Sequence, residues 1–173
     1  MAGHSRIVVA VCRHGRQSPA PADALASLNA NLAHRYQADN YIAVAFLRLD
    51  LKCGKGTFAN AGMPYPYLVR DGAVSRVCNP GVPLGLLEQT TYQEAAVSLD
   101  VGDTLLLSSD GTTEAFSPTG EMYDEARFVE SIIAHSSKET SAFVKSLYLA
   151  MTEFMGDAEI NDDITIVALR RNK

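Results

Sequence analysis

Leu105-Leu106-Leu107-Ser108-Ser109-Asp110-Gly111-Thr112-Thr113-Glu114 sets the reading of this chain. Its apolar half reads as a buried strand, and its second half turns acidic at once. A second stretch, Asn161-Asp162-Asp163-Ile164-Thr165-Ile166-Val167, places carboxylates just before another apolar run. Strand ends fix side chains in space, so carboxylates there can aim oxygens at a common point. Hard cations such as Mg²⁺ and Mn²⁺ take that kind of all-oxygen site. Two such ions close together lower the pKa of a water between them and clamp the oxygens of an in-line displacement at phosphorus. Asp110 and Asp162 are far apart in sequence, so only the fold can unite them. Taken singly, Asp110-Gly111 also reads as a hairpin turn, and Asp162-Asp163 as a solvated loop.

Upstream of the first stretch the pattern is strand-like. Tyr41 to Leu51 is apolar on both faces at first, then places Arg48 and Asp50 on one face, and is followed by a turn over Lys52–Gly56. Thr57 to Ala61 and Tyr65 to Arg70 flank Gly62-Met63-Pro64, and Asp71-Gly72 is a strong hairpin signal before Val74 to Val77. A Pro/Gly-rich loop over Asn79–Gly85 leads to strands at Glu94 to Leu99 and Thr104 to Ser108. The first third reads helical: Ile7, Val8 and Val11 share one face until Gly15, and Ser18-Pro19 caps a second helix carrying Leu25, Leu28 and Leu32.

Downstream, Asp124 to Ala134 carries Phe128, Val129, Ile132 and Ile133 on one stripe. Ser136-Ser137-Lys138-Glu139 reads as a capping box for a helix burying Phe143, Leu147, Met151 and Phe154 or Met155. A final strand runs from Ile164 to Leu169. Helices, then antiparallel-type strands, then helices and a strand describe an α+β layered chain, a single domain over 1–173.

Composition narrows the function. The 173 residues are 47% hydrophobic, enough for a real core, and the net charge of −5 argues against a nucleic-acid backbone or an anionic membrane as partner. No apolar run approaches a membrane span. Cys12, Cys53 and Cys78 are few, odd in number and widely spaced, which suggests reduced thiols in the cytoplasm. With the histidines also scattered, any metal would have to be held by oxygen.

The order and spacing of several pieces resemble one family. They are Phe58-Ala59-Asn60-Ala61-Gly62-Met63-Pro64-Tyr65-Pro66, Pro83-Leu84-Gly85-Leu86-Leu87, Gly102-Asp103, Ser109-Asp110-Gly111-Thr112-Thr113-Glu114-Ala115, Pro118-Thr119-Gly120-Glu121 and Asp162-Asp163-Ile164-Thr165. From Tyr41 to Arg170 the chain resembles the metal-dependent type 2C protein serine/threonine phosphatases. It is most similar to the bacterial branch named after stage II sporulation protein E, whose members act on anti-anti-sigma factors. The resemblance implies an α-β-β-α sandwich of antiparallel sheets flanked by helices, with two Mn²⁺ or Mg²⁺ ions. It places metal ligands at Asp110 and Asp162, with Asp163, Gly111, Asn60 and Gly62 as supporting or loop residues. The implied reaction is hydrolysis of phosphoserine or phosphothreonine on a phosphorylated regulatory protein by metal-activated water.

The chain also departs from the family pattern. The family's bridging Asp lies in an Asp-x-x-Gly-His-Gly motif, for which Gly3-His4-Ser5 is the best match here. Residues 1–40 hold only Asp23 and Asp39, neither in that context. Met63 stands where the family usually has His and reads as a packing residue; Arg13 and Arg16 read as a solvated basic face. The expectation is a member shortened at its N-terminus and lacking the family's first strands, with exposed strand edges that a homodimer would cover. A catalytically impaired pseudophosphatase acting as a partner-binding module is the alternative, and a phosphohydrolase of small substrates a third.

Overall fold

The structure, a computed structural model, describes residues 6–13, 19–33 and 41–172. Two compact units interleave along the chain. The first takes the described residues up to Tyr65 together with Val77–Leu99; the second takes Pro66–Arg76 and the chain from Asp100 onward.

In the first unit, strands β1 (Arg6–Arg13), β2 (Ile42–Leu49), β3 (Lys55–Ala61) and β6 (Glu94–Ser98) form one sheet in the order β1-β2-β3-β6. The segment expected to be helical around Ile7, Val8 and Val11 is therefore a strand. Its run of β-branched residues suits a pleated surface better than a helix, where such side chains lose rotamer freedom. The sheet is antiparallel from β2 to β6, as expected, and departs from that at its edge, where β1 runs parallel to β2 with Arg6 opposite Ile42 and Arg13 opposite Leu49. Parallel neighbours need a crossover, and helix α1 (Pro21–Ala33) supplies it.

Helix α1 starts with Pro21, not Pro19, at its first position, where a missing N–H costs nothing. The Ala22 amide donates to the Glu94 carboxylate at 3.2 Å. Leu25 is fully buried against Val44, Ala59, Ala61, Leu84 and Tyr92, while Leu28, expected on the same stripe, is exposed. Asn29 is buried in its place. It donates to the Leu87 carbonyl at 2.9 Å and accepts from the Gly85 amide at 2.9 Å, which pins the Pro83–Leu87 loop to the helix.

In the second unit, β4 (Tyr67–Arg70), β5 (Ala73–Arg76), β7 (Thr104–Ser108) and β8 (Ile166–Arg170) form an antiparallel sheet in the order β5-β4-β7-β8. The β4–β5 turn has Asp71 at φ 50° and Gly72 at φ 78°, the two left-handed positions that a tight hairpin needs. All five residues of β7 are buried, as a central strand should be. Helices α2 (Asp124–His135) and α3 (Thr140–Met155) bring Phe128, Ile132, Phe143, Leu147 and Met151 onto Tyr67 and Leu106. The Tyr67 and Phe128 rings meet edge to face at 5.7 Å. Each such large side chain, fully buried, stabilises the fold by about 1.5–3 kcal/mol before entropy is counted. The expected capping box does not form with Ser136 at its head. Glu139 is itself the cap, accepting from the Ser141 amide at 3.0 Å and the Ser141 hydroxyl at 2.5 Å. Among the described residues no helix is long and apolar enough to cross a membrane.

Candidate metal centre

The register of β7 and β8 brings the two acidic loops together. They are antiparallel neighbours with Ser108 opposite Ile166, so the chain leaving β7 and the chain entering β8 lie at the same end of the sheet. Ser109, buried at that point, joins them. Its amide donates to the Thr165 carbonyl at 3.0 Å, its hydroxyl donates to the Asp163 carbonyl at 2.8 Å, and the same hydroxyl accepts from the Thr165 amide at 2.9 Å. Ser109 thus satisfies three backbone groups of the facing loop while holding its own residue in place.

Beyond Ser109 the chain makes a single 3₁₀ turn, Asp110–Thr112, closed by the Thr112 hydroxyl donating to the Ser109 carbonyl at 2.6 Å. Gly111 faces the other loop directly. A Cβ there would sit 2.7 Å from the Asp163 carbonyl oxygen and 3.4 Å from that of Asp162. Only a residue without a side chain allows this approach. Asp110 and Asp162 are both exposed. Asp110 accepts from the Gly111 amide at 3.1 Å and Asp162 from the Asp163 amide at 2.7 Å, each through one carboxylate oxygen.

A narrow cleft opens beside Asp162, lined by Gly111, Phe116, Met155 and Ile160, with Glu114 and Glu159 also bordering it. The donor chemistry on these loops is carboxylate and carbonyl oxygen, which fits a hard divalent cation. Among the described residues no group of three or more His, Cys, Asp or Glu side chains is gathered to hold a metal.

Residues 2–172 match the sequence profile of stage II sporulation protein E (SpoIIE). The chain belongs to the SpoIIE family. Among relatives, phosphoserine phosphatase RsbU of Bacillus subtilis (strain 168) is 26% identical over 155 residues, covering 87% of this chain and 45% of RsbU. The chain spans less than half the length of the curated relatives it matches. Among solved structures, the SiaA-PP2C domain of Pseudomonas aeruginosa superposes with a TM-score of 0.76 at 23% identity, covering 87% of this chain and 61% of that one. The manganese-presoaked phosphatase domain of SpoIIE from Bacillus subtilis gives 0.65 at 19% identity, over 87% and 65%. This SpoIIE-family chain therefore has the α+β fold of type 2C phosphatases.

The other residues singled out in the sequence lie in the first unit or outside the described residues. Asn60 is buried and closes the turn after β3: its amide donates to the Met63 carbonyl at 2.8 Å and its side-chain oxygen accepts from the Met63 amide at 2.9 Å. Gly62 sits in that turn at φ 84° and tight against Pro83. Met63 is buried. Asp23 lies in the first turn of α1. His4, Arg16 and Asp39, and the side chain of Arg13, fall outside the described residues. Ser109, Asn29 and Asn79 carry structure that sequence reading did not assign. Asn79 is buried and donates to the carbonyls of Phe58 and Gln93, both at 3.0 Å, tying β3 to the segment entering β6. For Asn29 the sequence signal is a polar side chain four residues after Leu25, where a helical stripe calls for an apolar one.

Proposed function

We propose that this chain hydrolyses phosphoserine or phosphothreonine on a regulatory protein, an anti-anti-sigma factor being the type of substrate, with Asp110 and Asp162 holding Mn²⁺ or Mg²⁺. The observation that carries this reading is the Ser109 junction. It holds the two acidic loops side by side at the end of a buried strand, and the carboxylates those loops carry are exposed.

A bound divalent cation supplies Lewis acidity toward phosphoryl oxygens and acidifies water. The protein's part is to present anionic oxygens and to keep their geometry. Asp110 and Asp162 offer charge that a cation can offset. Gly111 removes the steric barrier between the loops, and Asp163 contributes its backbone carbonyl as the anchor for Ser109. Exposed thiols at Cys53 and Cys78 are in keeping with a reducing compartment such as the cytoplasm.

The test is phosphate release from a phosphoserine peptide with Mn²⁺ added and then removed by chelation. Release that needs Mn²⁺ and falls at least tenfold in Asp110→Asn supports the reading. No release from wild type, or equal release by Asp110→Asn, overturns it and returns the chain to the partner-binding alternative.

A further inference from the structure

We propose, resting on the reading that the substrate is a phosphorylated protein, that Phe116, Met122 and Ile160 form a docking rim beside the acidic loops. The rim takes the polypeptide flanking the phosphoresidue and favours an apolar side chain next to a basic one. Phe116 and Met122 pair across an isolated antiparallel bridge and form the base of a small hairpin. That hairpin is tied internally. Ser117 donates its amide to the Glu121 carbonyl at 2.8 Å, the Glu121 amide donates to the Ser117 hydroxyl at 3.1 Å, and Gly120 turns the tip at φ 82°. Arg127 on α2 holds it from behind, donating to the Met122 carbonyl at 2.8 Å and pairing with Glu121 at 3.2 Å.

The large apolar side chains of this hairpin are nevertheless open to solvent, Phe116 at 36% and Met122 at 43%, and Ile160 at the facing loop is 57% exposed. Exposed apolar groups on an ordered frame lose little conformational freedom on binding, which makes them efficient contacts. Phe116 and Ile160 border the same cleft as Gly111 and Asp162. That cleft encloses only about 10 Å³, room for roughly one water. Phe116 and Ile160 stand on the border of this small cleft, where a polypeptide can lie across them. Glu114 and Glu159 border the cleft and are exposed, so the rim favours a basic residue and disfavours an acidic one.

The experiment measures binding, so that it stands apart from catalysis. Two fluorescent peptides carry the same non-hydrolysable phosphoserine mimic, one flanked by Leu and Arg, the other by Gly and Asp, and are titrated by anisotropy with the full chain. The Leu/Arg peptide should bind at least tenfold more tightly. The double variant Phe116→Ala/Ile160→Ala should lose most of that preference, and Glu114→Lys/Glu159→Lys should reverse its charge component. Unchanged far-UV circular dichroism confirms that the variants fold. Equal binding of the two peptides, binding of neither, or a preference untouched in both variants overturns the proposal. If no phosphate is released from any substrate while the peptide preference persists, the catalytic reading fails and the docking rim stands.

Discussion

The hydroxyl of Ser109 donates to the carbonyl oxygen of Asp163 at 2.8 Å, joining loops that are 54 residues apart in sequence. Removing it orphans that carbonyl and the Thr165 amide together. Both bonds are half-buried and Asp163 is exposed, so Ser109→Ala should cost about 0.5–1.5 kcal/mol of stability, the ordinary net worth of a hydrogen bond. Urea denaturation measures the cost. Phosphate release should fall further than stability alone explains, because Asp110 and Asp162 lose their common frame.

Gly111→Ala tests close approach without changing any charge. The added methyl would meet the Asp163 carbonyl oxygen at 2.7 Å, and backbone cannot swing aside as a side chain can. We expect a loss of about 1–3 kcal/mol from overpacking. The Mn²⁺ concentration for half-maximal activity should rise as the loops part. A variant with wild-type stability and wild-type Mn²⁺ dependence would show that the contact has no functional weight.

Asp110→Asn and Asp162→Asn should separate function from folding. Both carboxylates are exposed, so each change should move stability by no more than about 0.5 kcal/mol. Each should weaken Mn²⁺ binding, read by isothermal titration calorimetry, and lower phosphate release. Loss of activity with unchanged Mn²⁺ affinity would separate these residues from the metal.

Asp103, at the far end of β7, should contribute to the pH dependence of stability. Burial opposes its ionisation, but hydrogen bonds from Arg70 and from the Asp100 amide, aided by the charges of Arg70 and Arg171, more than offset this and hold its pKa below the ordinary value. A depressed folded-state pKa stabilises the fold above the unfolded carboxylate value, near ~3.9, and that contribution disappears as pH falls through the lower folded value. Arg70 is 42% exposed, so Asp103→Asn should cost about 1–3 kcal/mol, less than breaking a fully buried pair. Thermal melts between neutral pH and pH 3 should show the gap between wild type and variant narrowing as the solution is acidified.

Much of this was legible where the signal is local. The Asp71-Gly72 hairpin, the buried run of β7 and the stripe of Phe143, Leu147 and Met151 all declare themselves within a few residues. The segment holding Ile7, Val8 and Val11 misled because helical spacing and a β-branched cluster, Ile7-Val8-Val9 with Val11, coincide there, and its pairing with Ile42–Leu49 is non-local. Asp110 and Asp162 could be named, but the meeting of their loops rests on Ser108 standing opposite Ile166, a register that no single stretch encodes. Asn29 stayed hidden for the same reason: its partners, Gly85 and Leu87, belong to a distant loop.

The interleaving of the two units has a practical corollary. The hairpin β4–β5 lies in the sequence before the boundary at Leu99–Asp100, yet its sheet partner β7 lies after it, with Tyr67 opposite Leu106. A cut at that boundary gives fragments 1–99 and 100–173, and the second keeps its helices and acidic loops but loses half of its sheet. Co-expressed fragments should therefore reassemble by strand addition, and activity should return only when both are present, which makes Leu99–Asp100 a split site for a conditional version of the protein.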